Sequence, residues 1–243
     1  MADNLKAIVL AGGLGSRLKH LTADTPKPMV DVAGRPFLEY LLDNLANQGV
    51  ADVVLAVSYL KEKIIEHFGS SYRDMALHYS VEETPLGTGG AIRQALDQYA
   101  ALFTRELFIF NGDTYVDVAL TEMLREKKMS EARFVMATKF LEDTGRYGCV
   151  EVSSGSVAGF QEKKDGASGL INAGVYLCDG NLLDDFETGS VFSFETDFLE
   201  KFASTIKPRT LETKGLFVDI GLPEDCIRAS KEFAGRFARP RGF

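Results

Sequence analysis

The segment Leu10-Ala11-Gly12-Gly13-Leu14-Gly15-Ser16-Arg17 sets three glycines directly after an apolar run and an arginine directly after the glycines. Glycines let a backbone pass close to a ligand. Their exposed N–H groups, followed by a helix start, form an anion site. Thr25-Pro26-Lys27-Pro28-Met29 follows, so Arg17 and Lys27 bring fixed positive charge to one strand end. Three glycine-loop chemistries compete for this pattern. The phosphate loop Gly-x-x-x-x-Gly-Lys-Ser/Thr is excluded, because no Gly-Lys-Ser/Thr occurs in the chain. A dinucleotide fingerprint needs a third spaced glycine and an acid ending the second strand. The chain has Gly13-Leu14-Gly15-Ser16-Arg17-Leu18 and Val57-Ser58-Tyr59 instead, so that pattern fails twice. A bare Gly-Gly-x-Gly could also be a tight structural turn, but with Arg17 and the Pro-Lys-Pro segment the more specific reading is a loop that wraps nucleotide phosphates with arginine and lysine assistance.

Further segments could join it. Glu82-Glu83-Thr84-Pro85-Leu86-Gly87-Thr88-Gly89-Gly90 is rich in small residues, which expose backbone donors and leave room for a flat ring; its plain alternative is a strand-to-helix turn with a solvated glutamate. Asn111-Gly112-Asp113 and Asp219-Ile220-Gly221-Leu222-Pro223 each put a carboxylate after an apolar run. A lone aspartate there is more often a cap or turn former, yet Mg²⁺ is held by one or two carboxylates with phosphate oxygens and waters. Phe160-Gln161-Glu162-Lys163 and Leu170-Ile171-Asn172-Ala173-Gly174-Val175-Tyr176 read, on their own, as strands with solvated ends.

The elements that must position these residues follow from periodicity. Apolar runs over 6–11, 53–57, 76–81 and 107–110 alternate with helical spacing over 36–48, 61–68 and 91–99. That order predicts a largely parallel sheet with helices on both faces. The second half predicts strands over 133–140, 148–152, 157–162, 170–177 and 216–220, with a hairpin turn at Ser153-Ser154-Gly155-Ser156. It also predicts a helical segment ending over 198–203, a last helix over 223–237 and a frayed tail at 238–243.

In a chain of 243 residues, 45% apolar and 26% charged, there is room for a substantial core. A net charge of −8 argues against duplex nucleic acid or an anionic membrane as partner. No apolar run approaches the roughly 18 to 20 residues that span a bilayer. Cys149, Cys178 and Cys226 lack disulfide-framework or zinc spacing, which implies a reducing, cytoplasmic setting. Between residues 14 and 29, Arg17, Lys19 and Lys27 face the single acid Asp24, so the glycine loop is locally basic. Homo-oligomer formation is left open.

Residues 10–29 resemble the signature LAGGxGxRLxxLTxxxPKPM of nucleotidyltransferases that couple a nucleoside triphosphate to a sugar 1-phosphate. Within that family the chain is most similar to short guanylyltransferases acting on D-glycero-α-D-manno-heptose 1-phosphate; mannose 1-phosphate guanylyltransferases and uridylyltransferases are the nearest alternatives. A glycosyltransferase would carry Asp-x-Asp where Asn111-Gly112-Asp113 stands. The resemblance implies an α/β fold with a Rossmann-like mixed, mostly parallel sheet flanked by helices and a small β-rich sugar-binding extension. One domain, 1–243, would comprise a nucleotide-binding half (1–115) and a sugar-phosphate-binding half (116–243). It implies that Leu10, Ala11, Gly12, Gly13, Gly15 and Gly112 meet the nucleotide, with Glu83, Gly87 and Thr88 near the base. A carboxylate only accepts hydrogen bonds, so Glu83 suits the N–H donors of guanine. Gly148, Glu162, Lys163, Asn172 and Gly174 would line the sugar-phosphate site, and Asp113 and Asp219 would hold Mg²⁺. Ser193–Phe198 resembles the family's capping segment, where Glu195 or Asp197 could simply cap a helix. In the implied reaction a sugar 1-phosphate oxygen attacks the α-phosphorus in line and pyrophosphate leaves. Arg17 and Lys27 would hold the pyrophosphate, and Lys163 the incoming phosphate. A phosphate monoester with a second pKa of about 6 is already largely dianionic, so no general base is needed. The want of a catalytic candidate among His20, His67 and His78 is no obstacle.

Overall fold

The structure, a computed structural model, describes residues 4–13, 15, 18, 24–161 and 166–237. Arg17, Glu162, Lys163 and the tail 238–243 lie outside the described residues. In chain order the first half contains β1 (Leu5–Leu10), the short pair β2 (Asp31–Val32) and β3 (Arg35–Pro36), α1 (Phe37–Asn47), β4 (Val50–Val57), α2 (Lys61–Phe68), β5 (Ser71–Tyr72), β6 (Met75–Val81), α3 (Gly87–Gln98), β7 (Glu106–Asn111) and β8 (Thr114–Val116). The second half contains α4 (Leu120–Ser130), β9 (Phe134–Leu141), β10 (Cys149–Ser153), β11 (Ser156–Gln161), β12 (Gly169–Asp179), a π-helical stretch Phe194–Glu200 running into α5 (Lys201–Ile206), β13 (Arg209–Glu212), β14 (Phe217–Asp219) and α6 (Pro223–Arg236).

The main sheet has 10 strands in the order β10-β11-β13-β9-β12-β7-β1-β4-β6-β5. Strands β7, β1, β4 and β6 are parallel. Their continuous apolar sequences follow from burial on both faces. Side chains alternate across a strand, so Ala7 and Val9 join the core beneath α1 and α2 while Ile8 joins the core on the α3 side. Val53 and Leu55 against Val54, and Phe108 and Phe110 against Ile109, divide in the same way. Because β1 lies between β4 and β7, the strand order reverses beside it. The crevice at the carboxyl ends of such strands is where open α/β sheets take ligands.

Beyond β7 the sheet changes character. Strand β12 runs antiparallel to both β7 and β9, and the β10–β11 hairpin continues the same sheet. The run of adjacent parallel strands expected from the βαβα order thus lies in the first half, and beyond β7 the pairing is mixed, with β13 parallel to β9. The β-rich extension is an outgrowth of the main sheet. Strand β14 pairs with β8 in a separate two-stranded sheet covered by α6, where Phe37, Tyr40, Tyr115, Ile220 and Phe233 form a third core.

One helix starts earlier than its apolar pattern suggests. Helix α3 begins at Gly87 rather than near Ala91, so Gly87-Thr88-Gly89-Gly90 forms its first turn. Residues 190–192 lie across that turn: Gly89 N donates to Phe192 O at 3.0 Å, and a β-carbon on Gly89 would sit 2.1 Å from the Phe192 ring. Gly89 therefore serves a close crossing of chains. Helix α4 and strand β13 were not picked out by periodicity; α4 buries only Leu120 and Met123, and β13 is four residues long.

Candidate active site

A cavity of about 300 Å³ opens at the switch point. Leu10, Gly12 and Gly13 line it from the end of β1, Ala56 and Ser58 from the end of β4, and Asn111 and Asp113 from the end of β7. Gly87 and Thr88 come from the first turn of α3, Lys27 and Pro28 from the short helix Lys27–Met29, and Glu82 and Pro85 from the segment after β6. Of the residues singled out in the sequence, the structure brings Leu10, Gly12, Gly13, Lys27, Gly87, Thr88 and Asp113 together here. Three supporting positions lie behind them. Ala11 is buried and its N–H donates to Ala56 O, Gly112 N donates to Leu10 O at 3.0 Å, and Gly15 has a positive φ just beyond the lining.

Glu83 is not brought to the cavity. Its side chain is 82% exposed and pairs with Lys61 at 3.2 Å. Of the two adjacent glutamates it is Glu82 that lines the cavity, and its Oε2 accepts from Leu86 N at 3.0 Å. Burial raises the Glu82 pKa, and the Leu86 N–H only partly offsets it. Thr88 points inward, donating to Glu195 Oε2 at 2.7 Å and accepting from Phe194 N at 2.8 Å. Asp197 accepts from Ser193 N at 2.7 Å, a capping contact.

On the antiparallel side, β12 slips register between Asn172 and Tyr176. Gly174 sits in this bulge with φ +73°, and a β-carbon there would meet Asn111 Nδ2 at 2.8 Å. Both ends of the Asn172 amide are engaged: Nδ2 donates to the buried Tyr176 hydroxyl at 2.7 Å, and Oδ1 accepts from Gly174 N at 3.0 Å. Asn172 thus holds the bulge and bears on the cavity through Gly174 and Asn111. Gly148 lies against Gln161 O where β10 meets β11. Asn111, which lines the cavity, carries a second signal, a buried Oδ1 with no hydrogen-bond partner among the described residues. A polar residue closing an apolar strand was the sequence clue to it, as was the direct continuation of β6 into Glu82.

Asp113 and Asp219 face each other across the β8–β14 pair, where Asp219 registers opposite Thr114 and Ile220 N donates to Asp113 O at 3.1 Å. Burial raises the Asp219 pKa, and the Asp113 carboxylate raises it further, while Lys27 and the Tyr147 hydroxyl oppose the rise. Lys27 Nζ stands 2.5 Å from Asp113 Oδ2. Two neighbouring carboxylates, the buried one penalised by the charge of the other, next to a cavity lined by a glycine loop, suit a divalent cation that takes its remaining oxygens from phosphate and water.

A glycine loop, a lysine and paired carboxylates at the switch point of an open α/β sheet define a protein that binds and activates phosphorylated ligands. Residues 6–235 match the nucleotidyl transferase family, and the chain belongs to it. It is 40% identical to D-glycero-α-D-manno-heptose 1-phosphate guanylyltransferase of Campylobacter jejuni, over 91% of this chain and 96% of that one. It is 37% identical to the protein of the same description from Aneurinibacillus thermoaerophilus, over 94% and 98%. The crystal structure of HddC from Yersinia pseudotuberculosis complexed with GMP-PN superposes with a TM-score of 0.82 at 35% identity, covering 94% of this chain and 99% of that one. Among the described residues, no helix is long and apolar enough to cross a membrane.

Proposed function

We propose that the protein transfers the guanylyl group of GTP to D-glycero-α-D-manno-heptose 1-phosphate, releasing pyrophosphate and supplying a nucleotide-activated sugar in the cytoplasm. Guanine is carried by one observation: Glu82 lines the cavity beside the glycine loop, at the end where β6 gives way to α3. An ionised carboxylate accepts only, matching the N1–H and exocyclic amine of guanine and facing acceptors on uracil. Heptose is supported by the names of the two relatives that match along nearly their whole length.

In this reading residues 1–115 hold the nucleotide and 116–243 the sugar phosphate within one domain. The N–H groups of the Gly12–Gly13 loop meet the triphosphate, and Gly87 and Thr88 at the start of α3 lie near the base. Lys27, lodged between prolines, neutralises the departing pyrophosphate with Arg17, while Lys163 receives the phosphate of the sugar 1-phosphate and Glu162 its hydroxyls. Gly148 and Gly174 leave the sugar access to backbone. Asp113 and Asp219 would hold Mg²⁺, which supplies charge neutralisation to phosphate oxygens when bound. Proton transfer is not required of any side chain, because the attacking phosphate is already largely dianionic. Catalysis then consists of aligning two anions and neutralising their repulsion.

Pyrophosphate release measured across the four nucleoside triphosphates and several sugar 1-phosphates tests the proposal. The highest kcat/KM is expected for GTP with the heptose 1-phosphate. A higher value for mannose 1-phosphate overturns the sugar assignment, and a higher value for UTP overturns the base assignment.

A further inference from the structure

Arg146 and Tyr147, in the loop between β9 and β10, reach across to the Asp219 turn. The Tyr147 hydroxyl donates to Asp219 Oδ2 at 3.1 Å, and Arg146 Nη2 donates to the same oxygen at 3.4 Å. Arg146 cannot swing freely, because Nη1 and Nη2 also fork onto the two oxygens of Asp225, each at 2.6 Å. The Asp225 side chain is only 2% exposed and accepts from Leu222 N at 2.7 Å, which ties the fork to the start of α6. The Tyr147 ring packs edge-on against Phe217, with centroids 5.7 Å apart, two residues before Asp219 on β14. Among the described residues, these two hydrogen bonds to the Asp219 carboxylate arrive at Oδ2.

We infer that Tyr147 and Arg146 are positioning residues that occupy Asp219 Oδ2 and thereby offer a divalent cation Oδ1 alone. The inference rests on the reading of Asp113 and Asp219 as cation ligands. Its consequence is selectivity. Ca²⁺ accommodates carboxylates that bind through both oxygens in wide, flexible shells, whereas Mg²⁺ demands a tight octahedron. A carboxylate with one oxygen already committed favours the smaller ion. Partners that orient a ligating side chain typically change metal affinity by about 10- to 100-fold when removed.

The test uses Mn²⁺ as probe, its binding to the full chain followed by loss of the free-ion electron paramagnetic resonance signal, with Ca²⁺ as competitor. Tyr147→Phe is expected to weaken Mn²⁺ binding about tenfold and to let Ca²⁺ compete several-fold better. Its melting temperature should stay within about 2 °C, since the ring and its packing on Phe217 remain. Arg146→Lys keeps the charge but loses the fork, and should move both readouts the same way. Wild-type Mn²⁺ affinity and wild-type Ca²⁺ competition in both variants overturn the positioning role. Asp219→Asn separates the two levels of the argument. If it abolishes Mn²⁺ binding while Tyr147→Phe changes nothing, the cation site stands and the positioning role falls. If Asp219→Asn binds Mn²⁺ like wild type, the cation site itself falls and takes the inference with it.

Discussion

The turn that ends β7 and the turn that ends β14 each present an aspartate to the same space, but they hold it differently. Asp113 is 36% exposed, its turn is fixed by the backbone contacts of Gly112 and Ile220, and its charge is met by one lysine. Asp219 is 17% exposed and is gripped by Tyr147 and Arg146, which are anchored in turn by Phe217 and Asp225. Among the described residues the first carboxylate accepts from the neighbouring Thr114 hydroxyl and has one charged partner, Lys27, that a ligand can exchange for another. The second has a fixed orientation built from residues over 70 positions away. A pair made of one exchangeable and one locked member can admit a charged ligand without losing its geometry. Substitution at the first should therefore cost turnover alone, while removing Asp225, the buried anchor beneath the second's support, should cost stability.

The largest effect expected is at Asp113. Asp113→Asn should lower the pyrophosphate-release rate by about 100- to 1,000-fold, the scale of losing one preorganised electrostatic contact. Its melting temperature should shift by no more than about 2 °C, because the side chain is partly solvated and its turn is held by backbone. A variant that melts early and keeps its turnover would reverse the comparison.

Next comes the support of Asp219. Asp225→Ala strips a buried carboxylate from the Arg146 fork, and breaking a fully buried pair costs about 3–5 kcal/mol. The Arg146 side chain is 37% exposed and can return to water. A loss of about 2–3 kcal/mol is therefore expected, or about 5–10 °C in melting temperature for a chain of this size. Although burial works the other way, the Arg146 fork and the Leu222 N–H lower the Asp225 pKa below its ordinary value of 3.8. A depressed folded-state pKa contributes stability that is complete above the unfolded value and is lost as pH falls through the folded one. The gap between wild type and Asp225→Ala should be constant above about pH 5 and close below about pH 4 in thermal melts.

Glu82 gives an intermediate effect confined to substrate choice. Glu82→Gln trades one acceptor for a donor, which should lower kcat/KM for GTP by about 10- to 100-fold, since hydrogen bonds to charged groups are worth about 1.5–3 kcal/mol. Burial raises the Glu82 pKa, so in wild type the carboxyl takes up its proton at a higher pH than a solvated glutamate would. The KM for GTP should accordingly rise as pH falls through that value, and the Gln variant should show no such rise. A flat wild-type profile would remove Glu82 from base recognition.

How much of this was legible in the chain depends on how far apart the cooperating residues lie. Strands β1, β4 and β7, helix α1 and the glycine loop could be read because apolar runs, helical spacing and turn residues are local signals. Gly89 was legible as a small residue but not as the seat of Phe192, 103 positions on, which its close backbone contact required. The fork of Arg146 onto Asp225 spans 79 positions and leaves no local pattern. Helix α4 escaped because only Leu120 and Met123 are buried, too few to carry a periodicity, while the apolar Met129 faces solvent. The roles suggested for Glu162 and Lys163 rest on resemblance, and both residues lie with Arg17 outside the described residues.

The smallest effect expected is the sharpest check on register. Glu82 N still donates to Val57 O at 2.9 Å, so the ladder of β6 on β4 runs one residue past the strand proper. Side chains alternate along such a backbone, and a shift of one position exchanges the two faces. Glu82 consequently turns to the cavity and Glu83 to solvent, although the sequence offers two identical residues and no local means of choosing between them. An exposed pair such as Lys61 with Glu83 contributes at most about 1 kcal/mol. Glu83→Gln should therefore leave the GTP-to-UTP ratio of kcat/KM within about twofold of wild type, against the 10- to 100-fold loss expected at Glu82. If the two substitutions changed places in that assay, the side of the strand that reads the base would have to be reassigned, and the guanine argument would move with it.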